Sequence, residues 1–205
     1  MTIDHPRIGM DRYIDADWMA LCASVVRGEM TIDGVHARLA DDIAGKQVQR
    51  KVIGILNRMW FPGDPSGRQL AKQAAALATK ADGDRIAAFE AVAIGAYPYF
   101  RQVMEHVGRL VRLQESCSAG EVHRRMFELH GKRSTIDQAT SYCFKTMISW
   151  GMLERMPDKR LSSAPRAAIG QEAREILDQA ANRSRRSVSP LRPSDPLLFP
   201  FAKQK

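Results

Sequence analysis

The sequence predicts a nearly all-α chain: a helical bundle in its first half, then a winged helix-turn-helix with one small β-hairpin as its wing. Three observations predict this. Apolar residues recur every three or four positions from Trp18 to Trp150, the spacing of helices that bury one face. No alternating apolar pattern of useful length occurs before Met152. Residues 118–165 run in the order capped helix, short polar turn, second helix, glycine and basic-tipped hairpin, which a groove-reading helix with a flanking wing requires.

Asp15-Ala16-Asp17 opens a first helix through Trp18, Leu21, Cys22, Val25 and Val26, closing near Gly28. Thr31-Ile32-Asp33 caps a second, with Val35, Leu39 and Ile43 on one face. A third spans residues 46–61 on a stripe of Val48, Val52, Ile55, Leu56, Met59 and Trp60. Residues 61–67, Phe-Pro-Gly-Asp-Pro-Ser-Gly, are dense in breakers and read as a loop. Leu70, Ala74, Leu77 and Ala78 mark a fourth helix, ended by the turn Ala81-Asp82-Gly83-Asp84, and Ile86 to Gly95 a fifth. Pro98 starts a long sixth helix with Phe100, Val103, Met104, Val107, Leu110, Val111 and Leu113 inward. That helix doubles as the first of the winged domain.

Ser118-Ala119-Gly120-Glu121 is a capping-box pattern, opening a helix with Val122, Met126, Phe127 and Leu129 that ends at Gly131. After the turn Lys132-Arg133-Ser134, a second such pattern, Thr135-Ile136-Asp137-Gln138, begins the recognition helix. Its apolar stripe is Ile136, Ala139, Cys143, Met147 and Trp150, with Trp150 expected to be buried between the sixth helix and the wing. Gly151 stops it, and residues 152–156 can pair with residues 160–163 across Pro157-Asp158-Lys159. A last helix is expected over residues 169–181, before a Ser-, Arg- and Pro-rich tail whose run Leu197-Leu198-Phe199-Pro200-Phe201 is apolar enough to dock on its own domain or on a partner. The predicted domains are residues 1–95, helical; 96–181, winged helix-turn-helix; and 182–205, a basic Pro-rich tail.

Charge points to a polyanionic partner. The 205 residues carry 31 Lys and Arg against 23 Asp and Glu, a net of +8. Residues 1–115 hold 15 basic and 14 acidic residues, a net of +1; residues 116–205 hold 16 and 9, a net of +7. The excess therefore lies on the segment with the winged-helix pattern, as phosphate neutralisation needs. Arg183, Arg185, Arg186 and Arg192 of the tail account for part of it.

Catalytic patterns are thin. The chain has no P-loop, no GxGxxG after a strand, no HExxH and no GxSxG. Its three cysteines form no CxxC pair, and its five histidines are scattered. Asp41-Asp42 and Asp82/Asp84 sit where caps and turns want Asp. No enzyme activity, metal site or cofactor is predicted. The most apolar window, residues 86–100, is interrupted by Glu90 and Pro98 and is too short to span a bilayer, and no apolar signal core opens the chain, so a cytoplasmic protein is expected.

An alanine-rich middle ending in Ala96-Tyr97-Pro98-Tyr99-Phe100, Arg50-Lys51 inside the third helix and the Trp150-Gly151-Met152-Leu153 ending together resemble BrxA, the small accessory protein of BREX (bacteriophage exclusion) phage-defence systems. The resemblance spans residues 15–165, and the basic tail departs from it. It implies a non-enzymatic component of a defence locus that binds double-stranded DNA, with other proteins of that locus as partners through the tail. The expected DNA-binding residues are Lys132, Arg133, Thr135, Gln138, Ser141, Lys145, Lys159 and Arg160, with Gln138 and Ser141 at base edges and the cations on phosphates. The alternatives are a protein–protein adaptor using the winged helix and tail as docking surfaces, and a small transcriptional regulator.

Overall fold

Helix starts along the chain are set by side-chain oxygens that satisfy the first free amides. In the computed structural model, which describes residues 8–80, 82–165, 167–183 and 190–202, Asp15 accepts from the Asp17 amide to open α1 (Ala16–Val26), and Thr31 from the Gly34 amide to open α2 (Ile32–Asp42). After α3 (Lys46–Trp60), Asp64 accepts from the Gly67 amide to open α4 (Pro65–Leu77). The stretch expected to be loop up to Gly67 thus contains a helix start: Asp is the cap, and Pro occupies the first turn, where its missing N–H costs nothing. Likewise Asp82-Gly83-Asp84, expected as a turn, is the first turn of α5 (Asp82–Ala96). Its carboxylates suit the positive helix end.

The described residues form nine α-helices and one three-stranded sheet, and the chain divides into two compact units. One comprises Ile14–Ala96 and Ile169–Leu191. The other comprises Tyr97–Ala168 with the described parts of Met1–Tyr13 and Arg192–Lys205. The last helix, α9 (Gln171–Arg183), therefore belongs with α1–α5 rather than with the segment expected to span residues 96–181. Its apolar stripe, Ala173, Ile176, Leu177 and Ala180, is buried, and α5 is buried along nearly its whole length. A helix apolar all round needs cover on every side. Polar contacts fasten α9: Arg183 pairs with Asp64 at 3.0 Å, and the Gly170 amide donates to Asp84 at 2.7 Å.

The other unit runs α6 (Pro98–Gln114), β1 (Ser116–Cys117), α7 (Ala119–His130), α8 (Ser134–Ser149), β2 (Leu153–Arg155) and β3 (Leu161–Ser163). The sheet order is β1-β3-β2, antiparallel throughout, with Glu154 opposite Ser162 and Cys117 opposite Leu161. β1 was not expected, because two residues carry no periodicity. Its core includes Tyr99, Phe100, Val103, Met126, Ile136, Cys143 and Met147. Trp150 is 3 % exposed, its ring 5.6 Å from that of Phe100. Burial pushes the Cys22 thiol up to about 12 and Cys117 to about 11, and raises Cys143 as well, so none is poised as a nucleophile.

Of the two alternatives for the tail, docking on its own domain or on a partner, the structure has the first. Leu197, Leu198, Phe199 and Phe201 are buried in their own unit, not displayed for a partner. Residues Pro196–Leu198 form a 3-10 turn beside α6, and Arg112 donates to the carbonyls of Asp195 at 2.6 Å and Pro193 at 2.8 Å. Gly108 permits this approach: a Cβ there would lie 2.1 Å from the Pro196 carbonyl oxygen. Arg185 and Arg186 lie outside the described residues. No helix among the described residues is long and apolar enough to cross a membrane.

Candidate nucleic-acid interface

α8 sits on its unit by the stripe Ile136, Ala139, Cys143, Met147 and Trp150, all buried. A helix so seated turns the positions between outward. Thr135, Gln138 and Lys145 are exposed and Ser141 is half-buried, one helical flank read at steps of three and four. Lys132 and Arg133 are exposed at its start, and Arg133 donates to the His130 carbonyl at 3.0 Å. The second capping box does not form. α8 begins at Ser134 with Arg133 as its cap residue and no side-chain cap bond, so Thr135 already lies inside the first turn. Its hydroxyl is left for another use.

Asp137, the one carboxylate on this flank, lies against α7. Its Oδ1 is 3.1 Å from His123 Nδ1, without the alignment of a hydrogen bond, while His123 Nε2 is 3.3 Å from Ser141 Oγ. Burial lowers the His123 pKa and Asp137 only partly offsets it, so the imidazole is neutral at pH 7. His130 is 4 % exposed and bonded to Gln102 at 2.7 Å. These two histidines are thus packed between elements. A Ser–His–Asp order is present here, but Ser141 lies mid-helix, where the surrounding amides bond along α8 and offer no oxyanion donors.

The hairpin tip is a type I turn with a bulge. The Lys159 amide donates to the Met156 carbonyl and the Met156 amide to the Arg160 carbonyl, each at 2.9 Å, and Asp158 Oδ1 accepts from the Arg160 amide at 2.9 Å. Lys159 takes the left-handed conformation, φ 69°, that the third loop residue requires. Arg155 and Lys159 are exposed, but Arg160 turns back. It donates from Nε to Ser116 Oγ at 2.8 Å and from Nη2 to the Ser116 carbonyl at 3.0 Å, with Glu121 3.7 Å away. Arg160, expected on phosphate, is therefore spent bracing β1 against the hairpin. Among the described residues, Arg124, Lys132, Arg133, Lys145, Arg155 and Lys159 have no carboxylate within ion-pair distance. Arg125, by contrast, pairs with Glu128 at 3.0 Å.

Two residues absent from the sequence-based set join this flank. The Tyr142 ring has two cations over it, Arg12 at 5.8 Å and Lys145 at 5.6 Å from its centroid. Arg12 arrives on the segment Ile8–Arg12, which forms a 290 Å³ cleft with Thr135 and Gln138. Asp11 orients it, accepting from its guanidinium at 3.2 Å. Tyr142 was legible as one turn beyond Gln138 and three residues before Lys145. Nothing in the sequence linked Arg12 to a helix so distant along the chain. Among the described residues, no group of three His, Cys, Asp or Glu could hold a metal ion. No protein-family model, curated protein or solved structure matches the chain.

Proposed function

We propose that this chain is a non-enzymatic double-stranded-DNA-binding protein whose Tyr97–Ala168 segment works as a winged helix-turn-helix. In this reading α8 enters the major groove, and the β2–β3 hairpin is the wing along the phosphates. The observation that carries it is the set of cations without carboxylate partners, Lys132, Lys145 and Lys159, beside the exposed polar side chains of Thr135 and Gln138. Lone cations cost little in water and gain by displacing counterions from phosphate. Gln138 and Thr135 supply hydrogen bonds for base edges. The element order β1-α7-α8-β2-β3 with sheet order β1-β3-β2 supports the winged assignment. The resemblance of the sequence to BrxA would imply a cytoplasmic protein of a BREX-like phage-defence locus; a small transcriptional regulator would use the same surface.

Fluorescence anisotropy with a labelled duplex over a salt series tests this. Lys132→Ala with Arg133→Ala should weaken binding by about 1–3 kcal/mol on any sequence. Lys159→Ala should flatten the log-affinity against log-salt slope by about one unit, and Arg160→Ala, whose side chain is engaged elsewhere, should change it far less. A parent chain that leaves duplex anisotropy unchanged at low salt would overturn the reading.

A further inference from the structure

A second surface lies in the same unit, formed by α6 and α7. Leu113 in the last turn of α6 is 85 % exposed and Leu129 near the end of α7 is 42 % exposed, and both line one open groove of 430 Å³. Other exposed large apolar residues, such as Val48 and Met30, are less exposed, at 37 % each. His106 and Leu110 complete the floor, since His106, Leu110 and Leu113 follow one another on one flank of α6. Arg109, Arg125 and Glu128 form the rim. An apolar floor ringed by charge marks a contact surface.

We propose that this groove is a self-association surface, in which Leu113 of each copy enters the groove of the other about a two-fold axis. A two-fold interface needs one patch that is its own complement. Here a projecting leucine and an open apolar groove occupy the same patch. Charge complements itself too. Arg109 is 53 % exposed and has only a long 3.8 Å contact to Glu105, whereas Glu128 is 52 % exposed and uses one oxygen on Arg125. Across the two-fold, Arg109 of each copy meets Glu128 of the other, and the pair is made twice. Burial and the neighbouring Arg109 and Arg125 hold the His106 pKa low, so the floor adds no positive charge at neutral pH.

The chain's own tail does not fill the groove, because its apolar residues are already buried at the Gly108 flank of α6. The stretches 1–7, 184–189 and 203–205 are short and mostly polar. A groove of this size is small beside a standard interface of roughly 20–30 residues a side, so the dimer is weak and forms with rising concentration.

Sedimentation velocity on the full chain, without DNA, over a concentration series tests this independently of DNA binding. The parent mass should rise from the 22.9 kDa monomer towards twice that value. Leu113→Glu should remain monomeric at every concentration with an unchanged thermal melt, whereas Val48→Glu should associate like the parent. Arg109→Glu and Glu128→Lys should each self-associate poorly. Mixed in equal amounts they should regain the parent's association, because the two-fold then gives every charge its complement. A parent chain that sediments as a monomer throughout, a dimer indifferent to Leu113→Glu, or a mixture that fails to recover would overturn the proposal.

Discussion

α7 and α8 are adjacent helices announced by the same kind of sequence signal, and they are held in opposite ways. At α7 the signal is used in full: Ser118 Oγ accepts from the Glu121 amide at 3.2 Å, and Glu121 accepts from the Ser118 amide at 2.7 Å. Gln114 and Arg160 close in on the same carboxylate, from which Gln114 is 3.0 Å and Arg160 3.7 Å away. At α8 the matching pattern, Thr135 to Gln138, makes no cap. That helix is held by its inner stripe and by the Tyr99 hydroxyl, which is 2.8 Å from Thr140 Oγ1 and donates to the Ile136 carbonyl at 3.2 Å. One helix start is closed on itself; the other is fixed from below and leaves its upper polar groups free. A helix that must present side chains to a partner is better anchored by packing than by the groups it presents.

The largest effect should come from removing that anchor. Trp150→Ala should cost roughly 3–5 kcal/mol in denaturant unfolding, since the ring is buried against Phe100. A small loss would mean α8 is held by something other than its inner face. Ser118→Ala should cost about 0.5–2 kcal/mol, the range for losing an N-cap. Acid then sharpens the contrast. Hydrogen bonds from Gln114 and from the Ser118 amide and hydroxyl, helped by Arg160, hold the Glu121 carboxyl down at about 2. A folded value below the ordinary one of about 4.3 gives stability that is present above about pH 4 and lost as pH falls towards 2. The acid-unfolding curve of Glu121→Gln should lack this component; identical curves for parent and variant would show that the box adds no proton-linked stability. Thr135→Ala should stay within about 0.5 kcal/mol of the parent in stability while weakening duplex binding. A cap-sized loss there would erase the distinction between the two helices.

Where sequence and structure agree, one local rule decides the outcome. Ser118, Asp15 and Thr31 cap the helices they were expected to cap, and the α8 stripe is buried at every position named. Where they part, two rules competed. Asp64-Pro65 reads as a turn and as a helix start, and only packing of Leu70 and Ala74 below selects the second. Val48, Leu113 and Leu129 fit helical stripes by spacing, yet stand where no neighbouring element covers them. At the candidate interface, α8's outward flank followed from its inward one. Arg160 did not, because its partner is Ser116 on a two-residue strand with no signature. Arg12 did not, because a single cation in a polar segment carries no sign of its destination.

The division of the chain has a consequence for how the protein is made. The unit built on α1–α5 has its last element by Leu191, but the other draws on segments on either side of it, before Ile14 and after Leu191. A ribosome delivers residues in order, and domains generally fold as they emerge. α6, α7 and α8 emerge with the Gly108 flank of α6 bare, and that flank waits for Leu197, Leu198 and Phe199, which are synthesised only after α9. A nascent chain arrested short of Asp195 would carry a finished first unit and a second one open along its central helix. Truncations that remove the chain from Asp195 onward should therefore act like core mutations, as should charged substitutions of Leu197 or Phe199.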